Sequence, residues 1–494
     1  MNIKEAKIHI KNAIAAYFQK DETGEYVIPV EKQRPVFLYG PPGIGKTAVM
    51  EQIAEEMEIG LVSYSMTHHT RQSAIGLPFI TKKVFDGKEY DVSEYTMSEI
   101  LASVYEYIEK SGKKEGILFL DEINCVSETL SPSMLRFLQY KTFGSHAVPD
   151  GWVVVTAGNP PEFNKSVREY DIATLDRIKK IDVSANYDVW REYAVNKNVH
   201  PAIIAYLDVK KSDFYIIENT PKGKNFVTAR GWEDLSRMMS VFENKNIDID
   251  ISLIEQYIQS QTVAEDFSDY YETYKNLTAK FSTEDIVTGN WSEELSSELR
   301  NSAVSEKLGF INILSGEMSN VSKVAVNFNK TAKKVAELLK ENQVVSKTPK
   351  DAVNLLDNLI NTFKADRGDK NIYFRETNEQ KKEKLMVFEK LSEIRDIITG
   401  SEGETKIHIS DFLKTEIEQL KNLVETAQTE LSNTCEFLYK TFGESPELQI
   451  FISNITVNKY SSLFLMSFGC KKFSEISKSK FDENKVVDEL SFIL

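Results

Sequence analysis

The stretch Gly40-Pro41-Pro42-Gly43-Ile44-Gly45-Lys46-Thr47-Ala48 constrains this chain more than any other. Its glycines stand at the spacing G-x-x-x-x-G-K-[ST], which lets a backbone wrap phosphate oxygens. Such a loop works only between a buried strand and the start of a helix. Both neighbours are present. "RPVFLYG" is a short apolar run ending at Gly40, and "KTAVMEQIAEEM" carries apolar residues at helical spacing. The segment Gly40–Ala48 is therefore the expected nucleotide contact, with its amides aimed at phosphate from a helix N-terminus. Lys46 would reach the outer phosphates, and the Thr47 hydroxyl would ligate Mg²⁺.

A unit of this kind belongs to a layered α/β fold. "GLVSYSM", "ILFLDEIN", "GWVVVTAGN" and "RIKKIDV" read as further strands, with helical patterns between most of them. Strands alternating with helices predict a mostly parallel sheet. Two stretches break the rhythm. Residues 77–96 contain Asp86-Gly87 between β-type residues, a hairpin signal. "FGSHAVPDGW" reads as a second tight hairpin or loop.

The strand "ILFLDEIN" delivers Asp121 and Glu122 to the phosphate side of the sheet. Asp121 would hold Mg²⁺, directly or through water. Glu122 would polarise the attacking water as general base. Asn159 closes "VVVTAGNPP". An isolated asparagine there is a turn residue; behind a phosphate loop its carboxamide would orient the water.

Past Ile181 the character changes. "YDVWREYAVNK", "HPAIIAYLDV" and "ARGWEDLSRMMSVFEN" read as short helices, and almost everything after Asp250 is helical in period. The expected organisation is an α/β core over 1–182 with the insert at 77–96, a helical lid over 183–250, and an α-helical region over 251–494. "KADRGDKN" (364–371) and "TGSEGETK" (399–406) read as turns or linkers. At 494 residues, two or three domains are expected.

The formal net charge of −15 argues against a surface built to grip nucleic acid throughout. Cys125, Cys435 and Cys470 lack the paired spacing of a disulfide framework or zinc knuckle. No apolar run approaches the ~20 residues of a membrane span, so the expected compartment is the cytoplasm. His68-His69 could suggest a metal, but no cysteine or carboxylate stands at ligand spacing.

"GPPGIGKT", "LFLDEIN", "TAGNP", "LDRI" and "TARGWEDLS" occur in the order found in the AAA+ family of P-loop NTPases. The set resembles the MoxR-type, dynein-related branch over roughly residues 1–260, about half the chain. In that branch a helix-2 insert stands where 77–96 stands here, and a hairpin precedes sensor 1 where "GSHAVPDGW" lies. The resemblance implies ATP with Mg²⁺ and an ATPase working as a homo-oligomer, hexameric in form. Asn159 matches sensor 1. Arg177 in "TLDRI" matches an arginine finger that enters a neighbouring subunit's site, and Asp176 would position it. Arg230 in "TARGW" matches the sensor 2 arginine of the lid. Arg168 fits either a second trans-acting arginine or a structural ion pair. "NKSV" resembles a guanine-reading NKxD motif, but position 167 is valine, so ATP is favoured. Lys82, Lys83 and Lys88 either face a central pore or solubilise the hairpin. A chaperone-like remodeller of protein partners is the expected function, with von Willebrand factor A-type proteins as partners in that branch. A nucleic-acid-stimulated motor and a nucleotide-gated scaffold are the alternatives.

Overall fold

The structure, a computed structural model, describes residues 1–164, 166–220, 223–365, 378–400 and 403–478. Its contacts divide it into two compact units. One comprises Met1–Val189 with Thr228–Gly231, and the other is helical and holds most of the remainder.

The strands, in chain order, are Val36–Tyr39 (β1), Gly60–Ser65 (β2), Pro78–Phe85 (β3), Lys88–Tyr95 (β4), Gly116–Asp121 (β5), Thr142–Phe143 (β6), His146–Ala147 (β7), Trp152–Gly158 (β8), Lys179–Asp182 (β9), Ile216–Thr220 (β10) and Gly223–Val227 (β11). In the first unit, five of them form one sheet in the order β2-β5-β8-β1-β9. Every pairing in that sheet is parallel. Parallel strands are covered on both faces, so central ones read as continuous apolar runs. "WVVVTAG" is buried at all seven positions of β8. Trp152 begins that strand, and its ring occupies the space beside two glycines. A Cβ on Gly116 would lie 2.7 Å from the indole, and one on Gly60 would lie 2.9 Å from it. Tyr107 closes the packet edge-on, with ring centroids 5.5 Å apart.

Both interruptions are hairpins. β3 and β4 pair along their whole length, from Pro78↔Tyr95 to Phe85↔Lys88. Asp86 and Gly87 both have positive φ, 49° and 73°, as a two-residue hairpin loop with the strands' own twist requires. β6 and β7 form the second hairpin, before the buried strand β8.

The parallel phosphate-loop core and the helix-rich remainder are those the sequence predicts. The segment read as a helical lid also holds something unforeseen. β10 and β11 pair antiparallel between the helices Pro201–Val209 and Ala229–Asn244. Its cue in the sequence is the β-branched and aromatic residues on both sides of Pro221-Lys222-Gly223.

The helical unit holds two helices of 38 residues, Val304–Glu341 and Thr405–Phe442. Each carries apolar residues into successive clusters. Phe310, Leu314 and Met318 meet Leu431, Phe437 and Phe451. Ala325 meets Leu420, Val424 and Phe464. Val335 and Leu339 meet Leu356, Leu391 and Ile394. One amphipathic stripe thus serves several partners in turn, and each fully buried Leu, Ile or Phe contributes about 1.5–3 kcal/mol. The expected linker at 364–371 lies almost wholly outside the described residues, and that at 399–406 partly so. No helix among the described residues is long and apolar enough to cross a membrane.

Candidate functional site

β1, β5 and β8 are adjacent and end together, so the residues after them share one edge of the sheet. After β1 the chain turns through Gly43 and Gly45, at φ 76° and 90°, conformations that glycine enters freely. Gly40 is required for a different reason: a Cβ there would lie 2.4 Å from the Val183 carbonyl oxygen. The helix Lys46–Glu56 begins directly behind the loop.

Lys46 is buried, at 7% exposure. Its Nζ donates to Gly40 O at 2.8 Å, Pro41 O at 2.9 Å and Asn159 Oδ1 at 2.8 Å. Burial pushes its pKa from the usual 10.5 down to about 8; Asp121 and Glu122 pull it back up, while Arg230 adds to the depression. A buried amine held only by neutral oxygens fits an anionic ligand, which would supply the missing counter-charge. Thr47 Oγ1 donates to Asp121 Oδ2 at 2.8 Å. A hydroxyl and a carboxylate oxygen so juxtaposed are the hard oxygen donors that suit Mg²⁺.

Glu122 follows Asp121 in a left-handed conformation, φ 56°, which costs on the order of 1 kcal/mol or more outside glycine. Its amide donates to Asp121 Oδ1 at 2.9 Å. Its carboxylate accepts from Ser65 Oγ at 2.9 Å and Thr67 Oγ1 at 3.0 Å. The general-base candidate is thus held by two hydroxyls at the end of the neighbouring strand β2. Asn124 Nδ2 donates to Asn159 O at 2.8 Å. Sequence reasoning did not single out Ser65, Thr67 or Asn124, and nothing local marks them; strand order brings them to the site.

The two arginines separate. Thr228 packs on the loop: a Cβ on Gly43 would lie 3.0 Å from Thr228 Cβ. The Thr228 hydroxyl accepts from Gly231 N at 3.2 Å, an N-cap that sets Arg230 in the first turn of its helix. Arg230 acts electrostatically on Lys46, so it lies near the phosphate loop. Arg177 does not. It precedes β9, whose first residue Lys179 is level with Val36 and whose last, Asp182, is level with Tyr39. The four residues of β9, at ~3.3 Å each, and the bend at Ile178 separate Arg177 from the loop edge of the sheet. Among the described residues neither guanidinium has a hydrogen bond or ion pair, and both side chains are exposed. The carboxylate of Asp176 lies 3.9 Å from Arg34, and both of those groups are largely exposed.

Arg168 is in an ion pair, with NH2 2.5 Å from Glu128 Oε1. Lys82 pairs with Glu89 at 3.4 Å, and Lys83 pairs with Glu94. His69 Nδ1 lies 3.2 Å from Ser73 Oγ, and its ring meets Tyr64 edge-on; the side chain of His68 lies outside the described residues. Among the described residues no group of three or more His, Cys, Asp or Glu side chains could hold a metal.

The sheet order and the phosphate loop define a P-loop nucleotide-binding core of AAA architecture. Residues 36–168 match the family model described as "ATPase family associated with various cellular activities (AAA)". The match spans the loop, Asp121, Glu122 and Asn159, and ends before Arg177 and Arg230. No curated protein matches the chain.

Proposed function

We propose that this chain hydrolyses ATP as one subunit of a ring, hexameric as in MoxR-type ATPases, and uses the cycle to remodel protein partners. The observation that carries this reading is the separation of the two arginines. Arg230 stands by the chain's own loop, while Arg177 stands at the opposite end of the sheet, with no hydrogen bond or ion pair among the described residues and only the charge of nearby Asp171 acting on it. A guanidinium so placed serves phosphoryl transfer only in the site of a neighbour.

In this mechanism the loop amides and Lys46 hold the phosphates. Thr47 and Asp121 would hold Mg²⁺, which when bound supplies positive charge against the phosphate oxygens. Glu122 leaves Ser65 and Thr67 and accepts a proton from the attacking water. Asn159 orients that water. Arg177 of the adjacent subunit and Arg230 stabilise the charge that spreads over the transferred group. The region 1–182 would be the motor, 183–250 the lid and 251–494 the part that meets partners, among them von Willebrand factor A-type proteins. The insert hairpin supports a protein client over a nucleic acid. Ile80, Val84 and Phe85 are exposed on it, and two of its lysines are already paired with glutamates.

Subunit mixing tests the shared site. Arg177→Ala has a complete site of its own but gives its neighbour no finger; Glu122→Gln has the finger and no base. Each variant alone should lose turnover while still binding ATP, and a mixture should regain part of it. A mixture as inactive as its components would sink the shared-site reading.

A further inference from the structure

Asn124 is 2% exposed and stands two residues after Glu122, in the turn Ile123–Cys125. The turn is fastened in three places. The Asn124 amide donates to Asn159 O at 2.8 Å. Its backbone carbonyl accepts from Arg168 N at 2.9 Å. Its Oδ1 sits so close over Gly158 that a Cβ there would lie 2.4 Å away. The next residue is tied as well, since Asn164 Nδ2 donates to Cys125 Sγ at 3.3 Å.

The geometry links two functional groups that belong to different strands. Glu122 follows β5 and Asn159 follows β8. Strand pairing holds β8 against β5 as far as Leu120↔Thr156 and against β1 as far as Tyr39↔Gly158, where Gly40 N donates to Gly158 O at 3.2 Å. One residue further on, the Asn159 carbonyl is gripped by the Asn124 side chain. That grip sets the direction in which the Asn159 side chain leaves the backbone. At present its Oδ1 meets Lys46 Nζ at 2.8 Å.

We infer that Asn124 is a positioning residue for hydrolysis: its carboxamide holds the Asn159 backbone so that the Asn159 side chain faces the phosphate loop in register with Glu122. Asn124 is buried and acts through Asn159. A misplacement of about 1 Å in such a group costs up to about 10²-fold in rate while leaving ligand contacts intact. The inference rests on the site being that of an ATPase.

The test compares steady-state phosphate release, ATP affinity by calorimetry and thermal stability across a small set of variants of the full chain. Asn124→Ala should lower kcat about tenfold with ATP affinity within about twofold of wild type. Asn124→Asp keeps the shape and the contact with Gly158 but cannot donate, so it should be as slow as Asn124→Ala. Gly158→Ala pushes the Asn124 side chain away from the other side and should reproduce the loss. In an Asn159→Ala background, Asn124→Ala should cost nothing more, because the group it positions is gone. Asn124→Asp turning over at the wild-type rate would reduce Asn124 to packing and overturn the inference. So would a kcat loss that multiplies fully onto Asn159→Ala, or a loss of affinity and melting temperature in step with kcat. Wild-type chain that fails to hydrolyse ATP in its assembled state would remove the ATPase reading and this inference together. Normal wild-type turnover with an unaffected Asn124→Ala would remove the inference alone.

Discussion

The two ends of the five-stranded sheet each hold a buried lysine, and only one of them makes a site. Lys46 lies where the strands end and Lys141 where they begin. Lys141 follows the helix Ser131–Tyr140 in a left-handed conformation, φ 56°, and is 4% exposed. Its Nζ donates to Val30 O. Burial pushes both amines down to about 8. Backbone carbonyls hold both. The difference lies in what else is nearby. Lys46 has open glycine amides, Thr47 and Asp121, Glu122 and Asn159 around it. Lys141 feels the charge of one carboxylate, Glu31, and bolts the turn at 29–33 to the second hairpin. A desolvated lysine is thus not a functional marker by itself; convergent donors and acids around it are.

Arg177 stands at the same end of the sheet as Lys141, and the largest effect expected from any change there is its own. Arg177→Ala should lower kcat by about 10³-fold and leave ATP affinity unchanged, whereas Arg230→Ala should weaken ATP binding as well as turnover. Phosphate-release rates beside calorimetric affinities separate the two. If Arg177→Ala turned over normally, that end of the sheet would have no catalytic role.

The lysines give the next comparison. Lys46→Ala should cost on the order of 10²-fold or more in turnover. Lys141→Met, of similar length and without charge, should leave turnover at the wild-type level. Equal losses for the two would mean that Lys141 holds the sheet in its active geometry and would erase the contrast.

How much of this contrast could be read in the sequence depends on distance along the chain. The loop, its strand and its helix are contiguous, so Gly40, Lys46 and Thr47 were legible from local spacing. Asp121, Glu122 and Asn159 were legible because each ends an apolar run, and runs of that kind become central parallel strands. Asn124, Ser65 and Thr67 were not, because their roles come from β5 lying between β2 and β8, and strand order leaves no local mark. The β10–β11 hairpin was missed where short β-type runs were read as parts of a helical lid. The helical unit was legible as periodicity only. Which cluster each stripe of Val304–Glu341 joins depends on partners more than 50 residues away, such as Phe437 and Leu391.

Protonation sharpens the comparison further. Free Lys46 is charged below pH 8 and largely neutral above it. Bound phosphate favours the charged form, so binding should raise its pKa. ATP affinity should then be flat below pH 8 and fall by up to about tenfold per pH unit above it, with about one proton taken up. Calorimetry at pH 9 in two buffers of different ionisation enthalpy reads that uptake directly. Lys141→Met should leave it intact. Proton uptake near zero at pH 9 would mean that phosphate does not reach Lys46.

The smallest functional effect belongs to Lys141, which should register only in stability. A lysine whose pKa falls on folding carries more protons in the unfolded chain between pH 8 and 10.5, so the folded state gains there as pH rises. A drop from 10.5 to about 8 corresponds to about 3 kcal/mol across that window. Lys46 and Lys141 should each contribute such a rise in the ligand-free protein. Saturating ATP supplies the counter-charge to Lys46 and should cancel its share while leaving that of Lys141. Lys141→Met should do the reverse. Denaturant unfolding at pH 7 and pH 9.5, with and without ATP, distinguishes the four cases. If Lys141→Met kept the full pH dependence, Lys141 would be better solvated than its burial implies, and the likeness between the two lysines would fail at its root.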